Sequence, residues 1–554
     1  MEQPAVSGAI ARPTASEQPG GRQSDAGAVP PAGRPGWLTP VNAAIAICTV
    51  LGLGLRLLLL SRPGYLTGVT EYDDGPYFGS AVDLVHGLLP YRGFILVQPP
   101  GITLLMLPAA LLSKVTGTAT AMAAGRLLTT LASTAGIFLV GLLIRHRGTL
   151  AVIVACGIVA VYPDGVLTAR TVLVEPWLVL FCLIGALALF DADRLTGSGK
   201  RLFWGGVAFG FAGAVEVWAI FPVVVLAVML LPQVRRLGVF AGGVAAGFLV
   251  PVLPFAAAAP KRFYQSLYVA QVAPRAGSTR VPLGARLSNM LGIVNIHLPA
   301  HPLLVIDLAT LVLVAVVAAA IAAAWRISHR PPPALDWFAL VACVVVVVMF
   351  LWPDQFHYHF TAFLVPFFGL SLALPAARLL EVAGKGTAWL PAAEAQRLWK
   401  PATAVAALAI AVLVMDQGSF ESHLRLPLGP VAPVVDRIIP RGACVATDQV
   451  SYLLMANRFF SDVPGCPRML DGLGSDLAFS NGLKPGTGAG NVPAVEALWR
   501  SEFDHAQYVW LSYNAYRRVA WTPQLRAYFA ANFVRVYKHA WHDTVYARKG
   551  LHAG

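Results

Sequence analysis

The sequence predicts an α-helical polytopic membrane protein of about eleven transmembrane helices. Juxtamembrane helices on the outer face and a small C-terminal extracytoplasmic α/β domain complete the expected architecture. Three observations predict it. Of 554 residues, 57% are hydrophobic and 12% charged, where soluble domains carry about 25% charged residues. Mean hydropathy is +0.65. Apolar runs near the length of a membrane span, about 20 residues, recur along the chain. The formal net charge of +13 then reads as basic cytoplasmic loops and attraction to anionic head groups, not as nucleic-acid binding.

The elements follow in order. Residues 1–36 are rich in Pro, Gly, Ala, Ser and Gln and read as a disordered cytoplasmic tail without a cleavable signal. The first span, near 40–60, is an uncleaved anchor of the transmembrane region 37–416. Further apolar runs lie near 101–117, 126–144, 149–163, 173–190, 203–230, 238–258, 303–325, 336–352, 359–378 and 401–416. The 203–230 run is too long for one span, and Glu216 and Pro222 mark its turn. If 101–117 does not span and the N-terminus is cytoplasmic, the loops at Arg145–Arg147, Asp191–Arg201, Arg235–Arg236, Arg326–Arg330 and 378–400 all face the cytoplasm, as the positive-inside rule requires. The 76–90 and 101–117 segments then become helices along the outer surface, within a first external loop of 61–125.

Past residue 417 the apolar runs shorten. "PRGACVATDQ" reads as a strand and turn, "HAQYVWLSY" as a second strand and "RVYKHAWHDTVYARK" as a closing hairpin, with helices at 493–503 and 522–532. Cys48, Cys156, Cys182 and Cys343 lie in apolar runs as core residues. Cys444 and Cys466 are the disulfide candidates in the external domain, with two free buried thiols as the alternative.

The chemistry concentrates at "EYDDGPY" (71–77), where Glu71, Asp73 and Asp74 cluster past the first span. A solvated turn is the ordinary reading. The functional reading is that one carboxylate takes a proton from an acceptor hydroxyl while another holds a sugar hydroxyl or a divalent cation. Arg170 and Glu175 in "ARTVLVEP" are either an interfacial pair that anchors a span or part of the same site. The loop 259–302 carries Lys261, Arg262, Arg275, Arg280 and Arg286 near Tyr264 and Tyr268, a set suited to lipid phosphate. "WPDQFHYHF" holds His357 and His359, which are two apart and do not share a helix face. A histidine there can contact phosphate.

With "YDDGPYFGSAVDLVHGLLPYRGFILVQPPG" (72–101), "GR" (125–126), "RTVLVEP" (170–176) and the "HYHF" stretch, the chain resembles the GT-C glycosyltransferases. It is most similar to the branch of protein O-mannosyltransferases, aminoarabinose transferases and actinobacterial cell-wall mannosyl- and arabinosyltransferases. The resemblance implies transfer, with inversion, of a sugar from a polyprenyl-phosphate donor to a hydroxyl of a cell-envelope glycan, glycolipid or protein on the outer face. It implies Asp73 as general base, with Asp74 the second candidate, and Glu175 orienting a sugar. Arg170 and the basic residues of 259–302 would offset charge on the leaving phosphate. Many relatives have Lys before the Pro pair where this chain has Gln98, so Arg92 or Arg126 substitutes. A divalent cation, Mg or Mn, is possible, with Asp73, Asp74 or Glu71 to hold it. A transporter or lipid flippase is the main alternative, but no internal repeat is evident and the ionisable residues gather at one face. A non-catalytic cell-envelope assembly protein is the other, and it would tolerate loss of the first-loop acids.

Overall fold

A computed structural model describes residues 39–272, 281–292, 302–353, 356–385, 392–424, 432–539 and 543–551. The expected tail 1–36 lies outside these residues. Seven described helices are long and apolar enough to cross a membrane: Pro40–Ser61, Thr118–Arg147, Val234–Ala258, Leu304–Ser328, Ala334–Leu351, Tyr358–Ala383 and Arg397–His423. Shorter apolar helices cover Gly101–Leu111, Thr149–Val161, Glu175–Leu189 and Val217–Leu230.

The 203–230 run does break where the sequence places its turn. The helix Gly199–Val215 ends, Glu216 is extended, and a single 3-10 turn leads into Ile220–Leu230. Pro222 is the third residue of that helix, close enough to its start to be tolerated. Gly199–Val215 packs on Val234–Ala258 through glycines on both partners. A Cβ on Gly210 would lie 2.1 Å from the carbonyl oxygen of Val244, and one on Gly247 2.1 Å from that of Val207. Small residues let the two backbones touch, as membrane helices without a water-driven core require.

Buried cations among the long helices are closed onto acceptors. Arg56 donates to Ser133 Oγ at 2.9 Å and to the carbonyls of Gly52, Ala160 and Val159. Arg147 joins Asp193 and Asp336, each at 2.9 Å.

The Gly101–Leu111 helix is 11 residues long and contains Pro108. At about 1.5 Å per residue it falls short of a hydrocarbon core about 30 Å thick. It lies against Asp74–Val85 and Thr118–Ile144. The C-terminal region caps this cluster. Its four-stranded sheet runs Val445–Thr447, Tyr508–Ser512, Asp543–Arg548, Phe533–His539, the first pair parallel and the others antiparallel. Helices Pro493–His505 and Pro523–Asn532 flank it. Leu454, Tyr452 and Trp510 share one buried apolar cluster with Phe78, Val82, Ile102 and Met106. Thr118 Oγ1 donates to the carbonyl of Leu454 at 2.7 Å. The first loop is therefore held between long helices and sheet.

Candidate active site

The 71–74 stretch enters the helix Asp74–Val85, and its two adjacent aspartates diverge. Asp74 is fully buried. It accepts from Thr171 Oγ1 at 2.6 Å, Ser451 Oγ at 2.5 Å and Thr70 Oγ1 at 3.0 Å, and pairs with Arg126 at 3.1 Å. Gly75 permits this seating, because a Cβ there would stand 2.6 Å from the backbone nitrogen of Ser451. With three donors on Oδ2, one on Oδ1 and no exposed surface, this carboxylate is closed to an incoming hydroxyl.

Asp73 is the opposite case. Its side chain keeps 35% of its surface open and its nearest charged neighbour is His359 Nε2, at 3.7 Å. It lies in a recess dense with protein. Burial pushes its carboxyl up to about 7, His359 works against that rise, and Glu71, Asp471 and Glu175 add to it. A carboxyl tuned close to neutrality suits a general base.

The rest of the recess comes from four other parts of the chain. His359 Nδ1 bonds Glu175 Oε1 at 2.6 Å. Glu175 is 1% exposed, and its Oε2 is buried with no hydrogen bond. Glu216, at the break between its two helices, is 3% exposed. Burial pushes its carboxyl up to about 8, with Glu175 and Asp73 contributing. Tyr77 Oη accepts from Gln98 Nε2 at 3.2 Å. Arg170 leans toward Glu71 Oε2 at 3.7 Å and donates to Tyr358 Oη at 3.3 Å, while its Nε is buried and unbonded. Tyr358 in turn donates to Glu71 Oε2 at 2.9 Å. The recess thus offers one open carboxylate, one guanidinium with spare donors and two buried carboxyls with unused acceptor capacity.

Several residues that shape the loop escaped sequence reasoning. Gln449 and Ser451 both donate to the carbonyl of Glu71 at 3.0 Å. Asp471 accepts from Tyr72 Oη at 2.9 Å, and the Arg518 guanidinium lies 4.3 Å above the Tyr72 ring. Thr447, Asp448, Gln449 and Ser451, polar residues at the end of an apolar strand, were the available signal.

Other expected residues fall elsewhere. Arg126 directs its donors to Asp74, Thr171, Thr70 and the carbonyls of Tyr65 and Leu66, fully buried. That geometry corrects its reading as a phosphate contact. Arg92 is exposed, and its carbonyl accepts from Arg262 at 3.0 Å. Arg275 and Arg280 lie outside the described residues. His357 is exposed, with its ring stacked 5.5 Å from that of His359. Among the described residues no three His, Cys, Asp or Glu side chains converge as metal ligands. Glu71, Asp73 and Asp74 point to Tyr358, His359 and Arg126 respectively, so the expected cation set does not assemble. Cys444 and Cys466 form a disulfide.

Residues 97–353 match the model of Glycosyltransferase family 87. The fold is similar to that of ArnT from Cupriavidus metallidurans bound to undecaprenyl phosphate. That likeness has 14% identity and a TM-score of 0.56, over 93% of this chain and 99% of that one. The apo state of ArnT gives 13% identity and a TM-score of 0.57, over 92% and 98%. No match was found among the curated proteins. The matched segment is less than half of the chain, and the likeness to ArnT is one of fold; both agree with the resemblance to membrane glycosyltransferases of the GT-C type.

Proposed function

We propose that the chain is a GT-C glycosyltransferase that moves a sugar from a polyprenyl-phosphate donor to a hydroxyl on the outer face of the membrane, with inversion and with Asp73 as general base. The observation that carries the reading is the divergence of Asp73 from Asp74. One is open, near neutrality and beside His359; the other is sealed in an ion pair. The family match begins at Val97, so the assignment of Asp73 rests on geometry.

The acceptor O–H gives its proton to the Asp73 carboxylate as its oxygen bonds the anomeric carbon. The bond from that carbon to the phosphate oxygen breaks on the opposite face, and its electron pair leaves with the lipid phosphate. Arg170, with an unbonded Nε, offsets the charge that builds there. Glu175 fixes His359 through Nδ1, and His359 holds Asp73 in place, both as positioning residues. Buried Glu175 Oε2 and Glu216 supply acceptors for sugar hydroxyls. The undecaprenyl phosphate bound to ArnT, whose fold this chain shares, supports a lipid-linked donor.

The test is a panel of labelled polyprenyl-phosphate sugars, mannose and arabinofuranose first, offered to the purified protein with a hydroxyl acceptor. Consumption of one donor with an inverted product supports the reading. Consumption of none, while Asp73→Asn still complements a deletion strain, moves the chain to a transporter or scaffold role.

A further inference from the structure

The far end of the Asp74–Val85 helix borders a second polar cavity of about 230 Å³, walled mostly by the C-terminal region. Asp83, Arg458, Phe459, Arg468, Met469 and Glu502 line it. Two of these groups are incomplete. Asp83 is fully buried; its Oδ1 accepts from Arg468 at 2.9 Å, but its Oδ2 has no hydrogen bond. Glu502 is 5% exposed, and its side chain has neither a hydrogen-bond nor a charged partner among the described residues. Buried polar groups without partners cost free energy unless something completes them.

We propose that this cavity binds a neutral sugar ring of the acceptor glycan, at a site distinct from the recess around Asp73. The charge on its walls argues for a neutral ligand. Arg468 already pairs with Asp83, and Arg458 with Asp436 at 2.8 Å and with the carbonyls of Ile439 and Ala456. An added cation would face two guanidinium groups, and an added anion would find both of them already paired. Hydroxyls can donate to Asp83 Oδ2 and either donate to or accept from Glu502. Burial pushes the Glu502 carboxyl up to about 8, so near neutrality it both donates and accepts. Phe459, Leu453 and Met469 give the apolar wall on which a ring's C–H face rests. The Cys444–Cys466 disulfide closes the loop that supplies much of this lining. The nine helical steps from Asp74 to Asp83 rise about 14 Å, a distance a short oligosaccharide bridges. That the sugar belongs to the acceptor rests on the function proposed above.

The experiment is titration of the purified full chain in detergent with free mannose, arabinose, galactose and glucose and with a linear trisaccharide of each, followed by calorimetry and saturation-transfer NMR. At least one probe should bind wild type. Binding should weaken by about tenfold or more in Glu502→Leu and in Val463→Trp, which fills the cavity from its rim, and should persist in Asp73→Asn. Thermal unfolding checks that each variant is folded. No binding to wild type, binding that survives both cavity variants, or binding lost in Asp73→Asn overturns the inference. Sugar binding with the expected variant pattern, but without consumption of any lipid-linked donor, upholds the cavity and refutes the transferase reading.

Discussion

Among the long helices, the buried guanidinium groups of Arg56, Arg147 and Arg126 close onto carbonyls, hydroxyls and carboxylates. A few ångströms beyond Asp74, the recess around Asp73 does the reverse. Asp73 stays open, Glu175 keeps a bare oxygen, and Arg170 keeps a bare Nε. Both regions bury charge at a cost in desolvation. Where the charge is fully partnered the cost yields a fixed helix arrangement. Where it is left incomplete, the deficit is the capacity to bind and react. The two neighbouring aspartates fall on either side of that line.

Breaking each side in turn sharpens the contrast. The largest effect belongs to Asp73→Asn: transfer should fall by about 10²–10⁴-fold, with the unfolding temperature in detergent close to wild type. Arg126→Met should instead cost about 3–5 kcal/mol, since it leaves the buried Asp74 carboxylate unpaired; thermal unfolding reads this directly. Replacing both Cys444 and Cys466 by Ser opens a loop of sequence separation 22, worth about 3 kcal/mol, and proteolysis should report loosening confined to the C-terminal region. Gly210→Leu should cost about 1–3 kcal/mol, because a Cβ there already meets the Val244 carbonyl at 2.1 Å; the readout is again thermal unfolding.

Much of the architecture was legible because it rests on local rules. The break at Glu216, the short helix after "QPPG", the closing hairpin and the helices at 493–503 and 522–532 follow from span length, proline chemistry and alternation. The acid cluster was visible as an anomaly of composition. Its division of labour was not, because Asp73 and Asp74 are chemically identical and only long-range partners separate them. Those partners, Arg126, Thr171 and Ser451, lie 52, 97 and 377 residues away. Arg126 was misread for the same reason: a basic residue near a site looks the same in sequence whether it faces a ligand or an aspartate. Gln449, Asp471 and Arg518 were missed because they reach the loop only through the fold of the C-terminal region.

The pH dependence of transfer at saturating substrate reports whether Asp73 is the base. Burial raises the Asp73 carboxyl to about 7. Below that value it holds a proton and cannot accept one from the acceptor; above it the carboxylate is free. With Asp73 in that role the rate should climb with pH, up to tenfold per unit, level near or above pH 7, and lose that limb in Asp73→Asn while Asp74→Asn retains it. A rate that is flat or falling between pH 5 and 8, or an Asp73→Asn variant with the wild-type profile, would contradict it.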